Sequence, residues 1–134
     1  MKRVLTALIA FLMLIFAASC GETSTTPTET PKYDYDLANE EMSVQYQTSL
    51  EIQNNFEKYV GKTISLRGTY EENEWHFVVV QDVTLCCYAY FEIIADKYPA
   101  AGSEVVVTGT FDYYSDSAGT YPYIKVESLN VVET

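Results

Sequence analysis

Two stretches of the chain follow one pattern. Gly61-x-x-Ile64-x-Leu66-x-Gly68-Thr69-Tyr70 recurs as Gly102-x-x-Val105-x-Val107-x-Gly109-Thr110-Phe111. Both alternate apolar and polar side chains with a period of two. That period gathers Ile64, Leu66, Gly68 and Tyr70 on one face of a strand, and Val105, Val107, Gly109 and Phe111 on one face of another. Each stretch also carries a glycine where the apolar face would expect a side chain. A glycine inside a strand marks a kink or a close backbone approach, as where a small sheet curls.

Three further segments read as strands. Residues 74–82 are apolar on both faces at Val78 to Val80, and residues 87–95 alternate from Cys87 onward. Residues 120–132 carry their apolar parity through Ile124 and Val126 and then shift to Leu129 and Val131, which predicts a bulge near Ser128. Pro122 suits a strand start or edge. Residues 38–61 are predicted to hold one helix. Ser43 is its expected cap, Val44, Leu50 and Phe56 its core-facing residues, and Asn54-Asn55 its end. The expected fold class is mainly β, a small five-stranded barrel preceded by one short helix. A two-sheet sandwich competes, but the segment is short for seven strands.

The N-terminus reads differently. Lys2 and Arg3 precede an apolar run, residues 4–18, of signal-peptide length and too short for an ordinary membrane span. Ala17-Ala18-Ser19 before Cys20 resembles a bacterial lipobox, in which Cys20 is lipidated and becomes the mature N-terminus. An ordinary cleaved signal peptide is the alternative. Residues 21–31 are rich in Thr, Ser and Pro and have nothing to place in a core, so they read as a tether. The expected organisation is a lipoprotein signal peptide over 1–19, a lipidated cysteine and tether over 20–37, and a folded domain over 38–134.

Cleavage before Cys20 takes Lys2 and Arg3 from the 8 basic residues and leaves all 19 acidic ones, moving the formal charge from −11 to −13. A chain this acidic is a poor nucleic-acid binder, because such binding draws on cationic side chains that release counterions. Cationic partners, neutral glycans and metal ions are all compatible with it. The expected surroundings are the extracytoplasmic face of the cell membrane. The membrane would be a partner through the lipid anchor, and an envelope protein or a small ligand would be a second.

The order of motifs carries a resemblance. The string YVGKTISLRGTY, a following strand, the Cys86-Cys87 pair, the string GSEVVVTGTF and a last strand together resemble a group of small bacterial OB-like lipoproteins of uncharacterised function. More distantly they are similar to the soluble OB-like part of a putative permease-subunit family with a CC motif. The resemblance spans roughly residues 41–132. It implies an OB-like barrel whose ligand surface is flanked by the loops after its first and fourth strands, and it implies no substrate. The helix usual between the third and fourth strands is missing, since residues 96–102 are too few and include Pro99.

Cys86 and Cys87 are candidates for a disulfide, for metal ligation or for buried structural thiols. Side chains adjacent in a regular strand point to opposite faces, so the two sulfurs meet only if a turn or bulge intervenes. His76, the one histidine, lies about 20 Å down the hairpin at ~3.3 Å per residue, too far to share an ion. Asp82 is nearer but brings the ligand count only to three. No second histidine is present to serve a nucleophilic cysteine, and no P-loop, Cys-x-x-Cys or serine-nucleophile motif appears, so no enzyme activity and no cofactor are expected.

Twelve tyrosines and one tryptophan are many for this length. Tyr113, Tyr114 and Tyr121 bracket a hairpin at residues 115–119, while Trp75, Tyr88 and Tyr90 would lie across the sheet. These six are the candidate ligand surface, by stacking on a sugar or peptide. Asp112, Asp116, Glu71 and Glu72 lack the spacing of a calcium loop. The expected function is a non-catalytic binding or assembly module. The alternative is a thiol-based metal or redox module using Cys86 and Cys87, associated with a transporter.

Overall fold

The computed structural model describes residues 32–133. The predicted signal peptide, Cys20 and the tether up to residue 31 lie outside the described residues. A short strand β1 (Tyr35–Asp36) and a 3-10 turn (Leu37–Asn39) lead into helix α1 (Met42–Asn54), followed by a second 3-10 turn (Phe56–Lys58). Five longer strands follow: β2 (Thr63–Glu72), β3 (His76–Gln81), β4 (Tyr88–Ile94), β5 (Glu104–Ser115) and β6 (Thr120–Val131). They form one six-stranded mixed sheet. The antiparallel pairs are β2–β3, β3–β4, β5–β6 and β2–β5, and the parallel ones are β1–β2 and β4–β6. Among the described residues, no helix is long and apolar enough to cross a membrane.

The alternation read from the sequence sets the core. Ile64, Leu66, Tyr70, Val105, Val107 and Phe111 are all fully buried in one cluster, joined by Val78, Val80, Ala89, Phe91, Ile93 and Ile124. Burial of each such aliphatic or aromatic side chain is worth about 1.5–3 kcal/mol.

The two like stretches pair with each other. Leu66 stands opposite Val107, with Ile64 opposite Gly109 and Gly68 opposite Val105. The ends match as well. Gly61 N–H donates to the Phe111 carbonyl and Gly102 N–H to the Tyr70 carbonyl, both at 2.8 Å. Phe111 N–H returns to Lys62 and Tyr70 N–H to Ser103, at 2.9 and 2.8 Å. The repeat is thus a local two-fold seam between β2 and β5. Gly61 (φ 79°) and Gly102 (φ 86°) supply the left-handed turn at each end. Gly68 and Gly109 lie directly under the Val79 and Lys125 carbonyls of β3 and β6, where no side chain fits.

The predicted bulge is present. Thr108 pairs with Ser128 and Gly109 with Val126, which leaves Glu127 as the extra residue. Its side chain accepts the Thr110 hydroxyl at 3.0 Å.

Two expectations are corrected. Order begins before residue 38, because β1 pairs with Ile64 and Ser65 and Leu37 is buried. An Asp34–Thr63 clamp holds this entry: Thr63 N–H and the Asp34 carboxylate meet at 2.8 Å, and Asp34 N–H and Thr63 Oγ1 at 2.9 Å. The helix runs from Met42 to Asn54, ending at the expected Asn54-Asn55, and Leu50, with Phe56 just beyond the helix, packs against the core as expected, but the fully buried face is another. Its buried residues are Gln45, Ser49 and Ile52, while Val44 is exposed. Ser43 makes no cap, and Glu41 occupies the N-cap position without a side-chain bond. Gln45 is buried because its Oε1 accepts the Arg67 N–H of β2 at 2.7 Å, a service no aliphatic residue provides.

Candidate functional site

Four of the six candidate aromatic residues converge. Trp75, Tyr90, Tyr114 and Tyr121 line an open groove of about 400 Å³ on the outer face of the sheet, together with Phe77, Glu92, Asp116 and Pro122. The register explains the meeting. Phe77 of β3 is paired with Glu92 of β4, and Tyr114 of β5 with Tyr121 of β6. The parallel contact of Glu92 with Tyr123 then brings the two hairpins side by side. Trp75 enters from the β2–β3 turn, where its N–H donates to Asn73 Oδ1 at 3.0 Å.

The groove has apolar walls and acidic polar points. Tyr114 and Tyr121 stack with ring centroids 5.3 Å apart and 27° between planes, and Phe77 meets Tyr90 edge-on at 6.3 Å. The Tyr114 hydroxyl donates to both Glu92 oxygens, at 3.1 and 3.3 Å. Burial, followed by this hydrogen bond, pushes the Tyr114 phenol above its ordinary pKa, so it stays a donor and fixes the carboxylate. Asp116 caps the hairpin turn, its Oδ1 accepting the N–H groups of Ala118 and Gly119 at 2.7 and 3.0 Å. Asp116 also lines the groove. Trp75 is 54% exposed, with its ring available for contact.

Tyr113 and Tyr88 do not join this groove. Tyr113 shares the parity of Phe111 and packs edge-on against Phe56 at 5.7 Å, beneath the second 3-10 turn. Tyr88 leans toward the β3–β4 turn, where its hydroxyl donates to the Leu85 carbonyl at 3.3 Å. The sequence reading missed Phe77 and Glu92. The signal was available, since the outward parity of β4 runs Tyr88, Tyr90, Glu92, but a charged residue among aromatic ones reads as surface.

A second groove of about 460 Å³ lies beside α1, with Gln45, Arg67 and Glu104 in its wall. These three polar side chains already have partners. Arg67 Nε donates to Glu104 at 2.6 Å, and Gln45 is engaged with the backbone of β2.

The cysteine pair sits in the β3–β4 turn, not in a strand. Both residues are exposed, which removes the reading as buried structural thiols. They are free thiols with sulfurs 3.0 Å apart, beyond the ~2.05 Å of a disulfide bond. The turn that lets neighbouring sulfurs meet hinges on Leu85, which holds φ 60° without being glycine. The hydrogen bond from Cys86, with burial second, raises the pKa of Cys87 above the usual thiol value. The Thr84 hydroxyl, together with the Cys87 and Cys86 N–H groups, depresses Asp82.

His76 takes no part in that turn. Its ring stacks on Tyr98 with centroids 3.6 Å apart, and its Nδ1 lies 2.7 Å from the Tyr70 hydroxyl.

Comparison with protein-family models and with curated proteins finds no match.

Proposed function

We propose that this chain is an extracytoplasmic lipoprotein, anchored through Cys20, that binds a neutral or amino-bearing glycan in the aromatic groove without catalysing a reaction on it. The observation that carries this reading is the groove itself. Aromatic side chains brought from the β2–β3 turn, β4, β5 and β6 meet two carboxylates in one open channel. Aromatic faces stack on the apolar face of a sugar ring, and carboxylates accept its hydroxyl or ammonium hydrogens. Anionic ligands are opposed by Glu92, Asp116 and the formal charge of −13 left after cleavage before Cys20.

The fold supports the same reading. The pairings β2–β3, β3–β4, β4–β6, β6–β5 and β5–β2 return to their starting strand, and we read this circuit as an OB-like barrel. The β5–β6 hairpin that bears Tyr114 and Tyr121 then stands at a rim such barrels use for ligands. The basic residues, apolar run and small residues before Cys20 support the anchor.

The test uses the one tryptophan. The full chain in detergent is titrated with neutral oligosaccharides and a glucosamine oligomer, and Trp75 fluorescence is followed. A saturable change is expected with at least one of them. Tyr121→Ala should weaken it about tenfold or more, the loss of one stacking face. Tyr113→Ala, on the other side of β5, should leave it unchanged. No saturable response across the panel, or equal loss in both variants, overturns the reading.

A further inference from the structure

The β3–β4 turn brings three donor groups together. The carboxylate of Asp82 and the sulfurs of Cys86 and Cys87 all lie within 4.8 Å of one another. We propose that Asp82, Cys86 and Cys87 form an open three-ligand site for a thiophilic divalent cation of the zinc class, with a fourth position left to an exchangeable ligand. The site is separate from the aromatic groove and does not depend on what that groove binds.

The distances fit such an ion with little movement. A tetrahedral centre about 2.3 Å from each sulfur and 2.0 Å from an oxygen sets S–S near ~3.8 Å and S–O near ~3.5 Å. The sulfurs are 3.0 Å apart, and Cys86 Sγ is 3.7 Å from Asp82 Oδ2. The sulfur pair is thus ~0.8 Å closer than that ideal and the Cys86–Asp82 pair ~0.2 Å wider, so the sulfurs need only spread apart around the ion. A linear two-sulfur ion would need its ligands about 4.6 Å apart, twice the metal–sulfur bond, which neighbouring residues in this turn meet poorly.

The chemistry of the donors narrows the cation. Two thiols with one carboxylate suit zinc or cadmium, whereas magnesium and calcium take oxygen sets. The donors are also fixed in place. Asp82 Oδ1 accepts the N–H groups of Cys86 and Cys87 at 3.1 and 3.4 Å, and Oδ2 accepts the Thr84 hydroxyl at 2.7 Å. Thr84 Oγ1 is also 3.0 Å from Cys86 Sγ. Asp82 N–H closes the turn on the Cys87 carbonyl at 3.1 Å. From another element, the Tyr46 phenol of α1 stands beside Cys87.

Exposure gives the site its character. Structural zinc centres are closed by four protein ligands, and a centre with three keeps a place for an incoming group. Both thiols here are open to solvent, and the core of the sheet is complete without them. Such a site takes up and hands over a cation; it does not hold the fold together.

The test is metal titration of the full chain, purified in detergent and kept reduced. Zn²⁺ is titrated in competition with a chromophoric chelator, and Cd²⁺ is followed by its thiolate-to-metal charge-transfer band. One cation per chain is expected, with the cadmium band present. Cys86→Ser and Cys87→Ser should each weaken binding about a hundredfold or more and remove most of the band, and Asp82→Asn should weaken it about tenfold or more. Circular dichroism of the variants should be unchanged, since the turn lies outside the core. Binding well below one equivalent, or affinity unchanged in the double Cys86→Ser, Cys87→Ser variant, overturns the proposal. Either result leaves the Trp75 titration unaffected.

Discussion

A β-carbon placed on Gly68 would collide with the Val79 carbonyl oxygen, and one on Gly109 with that of Lys125. At Gly61 and Gly102 the same atom would meet nothing, and only the positive φ opposes it. The paired glycines of each repeat are therefore needed for different reasons. Gly68→Ala or Gly109→Ala should cost about 2–3 kcal/mol as an overpacked core site. Gly61→Ala should cost about 1 kcal/mol as left-handed strain. Thermal unfolding of the three variants checks the order, and a Gly61→Ala loss equal to the others would refute it. At this scale the sequence showed where glycine interrupts an apolar face. It also showed that Cys86 and Cys87 meet only through a turn. It did not show that Leu85 adopts the left-handed conformation that makes the turn, because no local signal marks a leucine for it. Tyr113 and Tyr114 were read as one rim, although strand neighbours point to opposite faces and only Tyr114 reaches the groove.

Strand β1 is two residues long and is held at its start by the Asp34–Thr63 clamp. The Thr63 N–H, then its hydroxyl, lowers the pKa of Asp34 below the ordinary carboxylate value. A depressed folded-state pKa means the clamp contributes fully above the unfolded value of about 3.9 and is lost as pH falls through the lower folded one. The protection of the Tyr35 and Thr63 amides, measured relative to their intrinsic exchange rates, should accordingly fall in acid, and Asp34→Asn should remove that pH dependence. Protection that stays flat down to acid unfolding would dismiss the clamp. Four of the five long strands were legible because a period of two survives in them, β3 showed instead as a run apolar on both faces and buried at Val78, Val79 and Val80, and even the Glu127 bulge left its mark as a parity shift. The face of α1 was not. It buries Gln45 for a hydrogen bond and Ser49 with no partner for its hydroxyl, so its inward stripe is partly polar and its periodicity misleads. β1 was hidden for a related reason, since two residues after a tether are too few to show alternation.

On the scale of the whole molecule, the anchor and the domain are separable claims. If lipid on Cys20 holds the chain at the membrane, Cys20→Ser should move it from the membrane fraction to the soluble one with its thermal midpoint unchanged. Retention of the serine variant in washed membranes would end the anchor reading. The domain also has an order of assembly. The β2–β3, β3–β4 and β5–β6 pairs join neighbours in the chain, whereas β2–β5 joins segments with all of β3 and β4 between them. Closing a long loop before any contact repays it is slow, so the β2–β5 pairing should form last and open first. When it opens, each freed edge carries the glycine spacing and apolar alternation of its own lost partner. An opened molecule therefore presents to its neighbour the same edge it presents to itself, and crowding would favour exchange of strands between chains over clumping at random.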